Sequence, residues 1–189
     1  LLETLAFGAI AGESAAQDLL AQGPPSQDGK IERAGVEALK KMEEKIQGLM
    51  GSHNDQGIGD IEEELGALLV EKCGIFREEG TLKEALEQVR KLKGCLKMVG
   101  LRSGGRRFNP ELLGALELEG KLDLAEVIVA GALARQESRG AHCRTDFPRR
   151  DDKAWLRHTL AYYHEDGKTC RLSSSPVNLE HFGLEERKY

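Results

Sequence analysis

The segment from Gln136 to Asp152, QESRGAHCRTDFPRRDD, places many charges, two turn-forming residues and one histidine directly after the most apolar stretch of the chain. We call residues 136–152 the polar segment. Its arginines alternate with carboxylates, so forked guanidinium hydrogen bonds can satisfy the segment internally. The pattern predicts a salt-bridged loop that fastens a helical bundle to a neighbouring domain. The charged residues are Arg139, Arg144, Arg149, Arg150, Glu137, Asp146, Asp151 and Asp152.

Five stretches carry apolar residues at the spacing of a buried helix face. They are residues 1–22, 26–51, 60–70, 81–100 and 112–133. Gly23-Pro24-Pro25 ends the first stretch, because no helix continues through these residues. Short loops join the next three, which favours antiparallel packing. The last is apolar on more than one face and indicates a central helix. The fold prediction is therefore mainly α, with an antiparallel three-helix, spectrin-repeat-like bundle plus a long central helix.

Local capping signals predict where three of these helices begin. Asn109 before Pro110 is a strong start, because Asn accepts from exposed N–H groups and proline at the first position loses no hydrogen bond. Asp60 is expected to cap an earlier helix. The sequence Thr81-Leu-Lys-Glu84 has the spacing of a capping box.

The C-terminal part has a different pattern. Asp151 or Asp152 can cap a short turn that carries Trp155. Residues 159–163 and 169–172 flank Asp166-Gly167, a favourable hairpin turn. A small C-terminal β-hairpin and an extended tail are therefore expected, and the hairpin needs a surface to lie on.

Bulk composition excludes several classes of function. The chain of 189 residues has 31% charged residues and a net charge of -5, which argues against a nucleic-acid-binding face. It has no apolar run of the roughly 18–20 residues that cross a bilayer, so direct membrane insertion is not expected. The four cysteines form no Cys-x-x-Cys pair and are expected to be reduced, cytosolic thiols. A metal site is disfavoured because its candidate ligands lack paired short spacings. These candidates are His142, Cys143, His158, His164 and Cys170.

The polar segment also carries a resemblance to a known family. Residues 137–142 (ESRGAH), 146–148 (DFP), 150–152 (RDD) and 155–160 (WLRHTL) resemble the C-terminal region of succinate dehydrogenase and fumarate reductase flavoprotein subunits. The resemblance extends to the central helix and to the N-terminal stretch. The matching residues there are 109–113, 115–118, 122–126 and 1–8.

The resemblance implies the C-terminal third of an FAD-dependent oxidoreductase, with FAD bound by a domain outside this chain. It implies three parts: the closing helix of the FAD-binding domain with a linker (1–25), the C-terminal helical-bundle domain (26–150), and the hairpin and tail (151–189). Leu1 would lie at a helix start beneath the flavin. The expected partners are the FAD and substrate domains of the parent chain and an iron–sulfur subunit. The expected location is cytoplasmic, peripheral to the inner face of the membrane.

The resemblance assigns no catalytic residue and no metal ligand to this chain, and the isolated fragment is expected to be inactive. The best local candidate for chemistry is His142 near Arg139 and Arg144, with Glu137 or Asp146 able to orient its ring. Because the family's substrate-binding motifs are absent from this chain, the favoured role of His142 is to fasten the polar segment to the catalytic domain. The predicted domain or subunit interface consists of Arg139, His142, Arg144, Arg150, Asp151 and Trp155.

Two other interpretations remain open from the sequence. L-aspartate oxidase is a related flavoprotein that shares the segment 137–140, although residues 150–152, Trp155 and the hairpin speak against it. A stand-alone helical interaction module would need no flavin. The coding sequence upstream separates these possibilities, because a Gly-x-Gly-x-x-Gly turn followed by a flavin-attaching histidine favours the dehydrogenase family.

Overall fold

The structure, a computed structural model, describes residues 2–23, 29–51, 57–163, 170–180 and 183–184. The chain divides into two compact units, Leu1–Lys45 and Ile46–Tyr189. The first unit contains α1 (Leu2–Gln22) and most of α2 (Lys30–Gly51). Large apolar side chains of both helices are exposed, and none of the α2 residues, all of which the structure describes, is buried. The apolar residues Ile31, Leu39 and Met42 of α2, which belong to the first unit, are therefore not covered within that unit.

The second unit is a bundle of α3 (Ile58–Lys72), α4 (Glu79–Cys95) and α5 (Pro110–Ala134). Each helix contributes its apolar stripe to one core, and Leu118, Leu122 and Val129 of α5 are completely buried. The other core residues of the three helices are Ile58, Ile61, Leu65, Leu68, Leu82, Ala85, Val89, Leu92, Ala115, Ala125 and Ala132. The predicted mainly α fold with a helical bundle is confirmed.

Ion pairs between the helices fix their directions. Ile58, the first residue of α3, approaches Gly114 of α5, and the later Glu62 pairs with the later Lys121. The helices α3 and α5 therefore run in the same direction. Arg90 of α4 pairs with Glu126, whereas the later Lys93 also reaches the earlier Asp123, so α4 runs antiparallel to α5. The long central helix is thus one of the three packed helices.

The helix starts show one confirmed cap and two corrections. The side chain of Asn109 accepts from the N–H of Leu112 at 3.0 Å, with Pro110 first in α5, as predicted. Asp60 does not cap α3 from outside: it lies at the third helical position and accepts from the N–H of Gly57 at 3.2 Å. Thr81 is likewise already inside α4, where its hydroxyl donates to the carbonyl of Glu78 at 3.2 Å.

The predicted capping box of α4 is wrong: a carboxylate distant in the sequence accepts a hydrogen bond at the start of this helix. Asp146 accepts from the N–H of Glu79, the first residue of α4, at 2.9 Å. The helix also ends earlier than its apolar pattern suggests, at Cys95, and continues as a single 3-10 turn over Leu96–Met98.

Two small sheets complete the described fold. The strand β1 (Phe76–Arg77) pairs in parallel with β2 (Cys143–Arg144), a contact that the sequence did not predict. After the short helix α6 (Asp152–Trp155), β3 (Arg157–Tyr163) pairs antiparallel with β4 (Cys170–Pro176) and both strands contact α5. The predicted hairpin is confirmed, although its strands are longer than expected. The predicted turn at Asp166-Gly167 lies outside the described residues.

Within the described part of the chain, no helix combines the length and the apolar character that a membrane span requires.

Candidate functional site

The polar segment folds back against the C-terminal end of α5. Arg139 and His142 exchange two backbone hydrogen bonds, at 2.8 and 3.0 Å, and Gly140 between them has φ of 59°. A glycine adopts this left-handed conformation without the steric penalty of a side chain. The Ser138 hydroxyl accepts from the N–H of Arg144 at 2.8 Å and lies 2.9 Å from the carbonyl of Phe147. These local contacts determine the path of the segment.

Glu137 is the buried centre of the segment, with no exposed surface. Its two oxygens accept from Arg135 at 2.6 Å, from both Nε and one terminal nitrogen of Arg139 at 2.8 and 2.9 Å, and from the N–H of Asp151 at 2.9 Å. Burial by itself would raise the pKa of Glu137, but the hydrogen bonds from Arg139, Asp151 and Arg135 outweigh it and lower the pKa. Glu137 is therefore held as a carboxylate.

Arg144 is also fully buried and closes the end of α5. One terminal nitrogen lies 3.0 Å from the carbonyls of Ala132 and Leu133 and 3.2 Å from that of Arg135. These are carbonyls that a helix end leaves without intrahelical partners, and a cation there is favoured by the helix dipole. The Nε and the other terminal nitrogen of Arg144 donate to the two carboxylate oxygens of Asp146, both at 2.7 Å.

Asp146 carries this connection on to α4. One of its oxygens accepts from the N–H of Glu79 at the helix start, where a negative charge is favoured. The hydrogen bond from Arg144, aided by the backbone donor at Glu79, lowers the pKa of Asp146 to about 2. The Arg144–Asp146 pair therefore joins the last turn of α5 to the first turn of α4.

His142 uses both ring nitrogens inside the chain. Its Nδ1 lies 3.0 Å from a terminal nitrogen of Arg77, and its Nε2 lies 3.1 Å from the carbonyl of Arg135. Because arginine can only donate, Nδ1 accepts, and Nε2 carries the proton that it donates to the carbonyl. Burial, together with the nearby charges of Arg77, Arg144 and Arg135, lowers the pKa of His142 despite the bond to the Arg135 carbonyl. A neutral imidazole with both nitrogens hydrogen-bonded is suited to holding the polar segment against β1 and the end of α5.

The remaining predicted interface residues form the outer layer of the same cluster. Asp152 accepts from both Arg139 and Arg150 at 2.7 Å. Asp151 caps α6 by accepting from the N–H groups of Lys153 and Ala154, both at 3.0 Å, which settles the choice between Asp151 and Asp152. The guanidinium carbon of Arg135 lies over the ring of Trp155, 5.4 Å from the centre of that ring. The structure thus brings all six predicted interface residues into one connected region.

Sequence reasoning missed two members of this cluster, Arg77 and Arg135. Arg135 donates to the carbonyls of Trp155 and Arg157 at 3.0 and 2.6 Å, so it ties α5 to the segment that precedes the hairpin. The carbonyl of Arg77 accepts from the N–H of Thr145 at 2.8 Å. The adjacency of Arg135 to the polar segment was a usable signal, whereas nothing local marked Arg77.

A second buried carboxylate, Glu126 of α5, also escaped the sequence analysis. It is completely buried and accepts from Arg90 at 2.9 Å and from Lys93 at 2.7 Å. Burial would raise its pKa, but the bonds from Lys93 and Arg90 prevail and lower it. The signal was a charged residue at a core position of an apolar helix, which requires a partner.

The candidate metal ligands that the structure describes, His142, Cys143, His158 and Cys170, do not form a metal-binding cluster. In the described residues, no group of three or more His, Cys, Asp and Glu side chains is arranged to hold a metal ion. His164 and Leu1 lie outside the described residues. All four cysteines are free.

Comparison with known proteins gives the chain its family. The family model described as fumarate reductase flavoprotein C-term matches residues 62–189. A fumarate reductase flavoprotein subunit of Mycobacterium tuberculosis is 40% identical over 195 residues, which covers 100% of this chain and 32% of the relative. A succinate dehydrogenase flavoprotein subunit of Rickettsia bellii is 32% identical over 179 residues, covering 95% of this chain and 29% of the relative.

A solved structure of E. coli quinol fumarate reductase has a TM-score of 0.82 and 30% identity, over 95% of this chain and 30% of that one. The chain therefore spans about a third of the length of the relatives that it matches. The comparisons do not favour the L-aspartate oxidase interpretation. The chain belongs to the fumarate reductase and succinate dehydrogenase flavoprotein family, and it corresponds to the C-terminal domain of these subunits.

Proposed function

We propose that this chain is the C-terminal helical domain of an FAD-dependent subunit that interconverts succinate and fumarate and passes electrons to an iron–sulfur subunit. The observation that carries the proposal is the match of named fumarate reductase flavoprotein subunits along 100% of the chain. Within the parent protein the domain is structural. This assignment is supported by its buried charges, Glu137 and Arg144, which bind other groups of the same chain.

FAD is held by a part of the parent protein outside this chain. The described residues do not fit a dinucleotide site, because their one parallel strand pair, Phe76–Arg77 with Cys143–Arg144, is two residues long and has no glycine-rich turn leading into a helix. FAD bound in that other part of the parent protein would supply two-electron transfer to or from the dicarboxylate. Residues 1–25 would close the FAD-binding domain, with Leu1 at the flavin, residues 26–150 would form the helical domain, and residues 151–189 the hairpin and tail.

The outer layer of the charged cluster around Glu137 is assigned to contact with the catalytic domains. All six predicted residues would contribute to this interface: Arg139, Arg150, Asp151 and Trp155 would form its surface, and His142 and Arg144 would support that surface. The hairpin and tail are assigned to the iron–sulfur subunit. The whole assembly would be peripheral to the cytoplasmic face of the membrane through its partner subunits.

The test is made on the natural full-length polypeptide that contains this sequence. We expect flavin absorbance that remains with the protein after denaturation, together with succinate-dependent reduction of an artificial electron acceptor. An iron–sulfur protein should copurify with it after release from membranes. A colourless natural polypeptide of about this length would overturn the proposal and favour a helical interaction module.

A further inference from the structure

A cleft of about 420 Å³ lies beside the polar segment, between the end of α5, the turn at residues 139–142 and the start of β3. Three of the predicted interface residues, Arg139, His142 and Trp155, line it. The other lining residues are Arg135, Leu156, Arg157, His158, Thr159 and Val177. Among the described residues that line this cleft, none is acidic.

The three arginines of the cleft differ in how their charges are matched. Arg135 and Arg139 both donate to the buried carboxylate of Glu137, and Arg139 also reaches Asp152. Arg157 has no carboxylate partner in the described part of the chain, and its Nε is the buried side-chain nitrogen without a hydrogen-bond partner there. Arg157 is therefore the arginine of this cleft whose charge no carboxylate among the described residues matches.

The guanidinium of Arg157 is nevertheless held in place. It lies over the ring of Trp155, 4.4 Å from the ring centre, and the backbone carbonyl of Arg157 accepts from Arg135 at 2.6 Å. Because the Nε is buried, the donors that a second group can reach are the terminal nitrogens of this planar guanidinium, for which no described residue supplies an acceptor. Carboxylates match the fork of a guanidinium with two parallel hydrogen bonds. Arg157 is therefore oriented for a carboxylate that the described residues do not provide.

We propose that the cleft receives a carboxylate side chain from the part of the parent flavoprotein that lies outside this chain, with Arg157 as its principal partner. This inference rests on the proposed function and names the chemistry of the contact. The chain spans about a third of its relatives' length, so most of the parent protein is available to supply that side chain. The unmatched positive charge of Arg157, next to two arginines, favours an acidic group over a neutral one.

The experiment compares two arginine variants in the full-length parent protein. Arg157→Gln removes the proposed partner. Arg171→Gln is the matched control, because Arg171 is an exposed arginine on β4 that also stacks on an aromatic ring, 4.8 Å from the centre of Tyr162, but lies outside the cleft. Amide hydrogen exchange is followed over residues 152–160.

Docking of a second segment should slow exchange at the cleft. Arg157→Gln is expected to accelerate it about tenfold, as for loss of a charge-assisted hydrogen bond, whereas Arg171→Gln should match the wild type. Arg157→Lys keeps the charge but loses the fork and should fall between them. A charge exchange identifies the partner: in the Arg157→Glu background, changing the correct acidic residue of the parent chain to Arg should restore slow exchange.

Two results would overturn the inference. One is equal exchange in the wild type, Arg157→Gln and Arg171→Gln proteins. The other is protection of the cleft by millimolar succinate or inorganic phosphate with no charge exchange that restores it, which would assign the cleft to a free anion. Flavin content and succinate oxidation are measured on the same preparations. If these are normal while Arg157→Gln behaves as the control, the inference fails and the proposed function stands.

Discussion

Glu137 of the polar segment and Glu126 of α5 are both completely buried carboxylates bound by two cationic side chains. They differ in the distance along the chain to those partners. The arginines of Glu137 are each two residues away, whereas Arg90 and Lys93 lie 36 and 33 residues from Glu126. They also differ in the exposure of one partner: Arg90 of the Glu126 cluster keeps 46% of its side-chain surface exposed, whereas Lys93 keeps 14% and Arg135 and Arg139 keep 15% and 27%.

This difference separates two uses of a buried charge. The Glu137 cluster shapes a local loop and, through Asp151, the start of α6. The Glu126 cluster joins two helices, and its exposed member Arg90 can form hydrogen bonds with water instead of with Glu126. A charge whose partners cannot be rehydrated is the more expensive one to leave unpaired.

Glu137→Gln should have the largest effect. The amide has one accepting oxygen, so its NH2 group would face the donors of Arg139 and of either Arg135 or Asp151. Arg135 would lose its counter-charge, and Arg139 would retain only Asp152. We expect the free energy of unfolding to fall by about 3–5 kcal/mol, measured by chemical denaturation. A loss under about 1 kcal/mol would show that water already enters this cluster.

Glu126→Gln sharpens the comparison. Arg90 can be rehydrated and Lys93 retains Asp123 at 2.7 Å, so the loss should be smaller, about 2 kcal/mol. The matched control is Glu117→Gln on an exposed face of the same helix, where Glu117 lies 3.4 Å from Lys121 and little change is expected. If Glu126→Gln proved more damaging than Glu137→Gln, partner exposure would not be the property that ranks the two clusters.

Asp146→Asn tests the link between α5 and α4 through pH. The pKa of Asp146 is lowered from 3.8 to about 2 in the folded chain, so its contribution is complete above about pH 4 and is lost as the pH falls toward 2. At neutral pH the variant should be less stable by about 1.5 kcal/mol, from the loss of charge-assisted hydrogen bonds. Unfolding curves at several pH values should converge for the two proteins near pH 2. A difference independent of pH would mean that the charge of Asp146 is not what joins the helices.

His142 should give a weaker dependence in a different pH window. Its pKa is lowered in the folded chain, so the neutral ring contributes stability above the unfolded value of 6.5, and this contribution is lost as the pH falls below it. The stability of His142→Gln should vary less between pH 7.5 and 5.5 than that of the wild type. Proton NMR titration of the ring gives the pKa directly, and a value above 6.5 would contradict the assigned bonding.

Lys121→Ala should have the smallest effect of the five changes. Lys121 and Glu62 join α5 to α3 as Lys93 and Glu126 join α5 to α4, but their side chains are 46% and 37% exposed. Exposed pairs contribute little because water and salt screen them. Chemical denaturation in low and high salt should show almost no difference from the wild type. A loss comparable to that of Glu126→Gln would imply that burial does not distinguish these inter-helix pairs.

The sequence alone determined the features that depend on residues a few positions apart. Helical periodicity located the helices of the bundle, Asn109 with Pro110 marked the start of α5, and alternating charges identified the polar segment. The hairpin was foreseen from its two strands and the turn residues between them. In each case the physical cause is local in sequence: a backbone period, a side chain reaching its own backbone, or a turn between two successive strands.

Only the tertiary structure decided which distant groups meet. Asp146 caps α4 across 67 residues, and Arg77 finds His142 across 65, where no local pattern could indicate the pairing. The local signal at Thr81 was misleading for the same reason, since a carboxylate from another segment occupies the helix start. Helix ends and buried charges must be satisfied, but the chain does not prescribe by whom. That choice follows from how the bundle packs and brings the ends of α4 and α5 together.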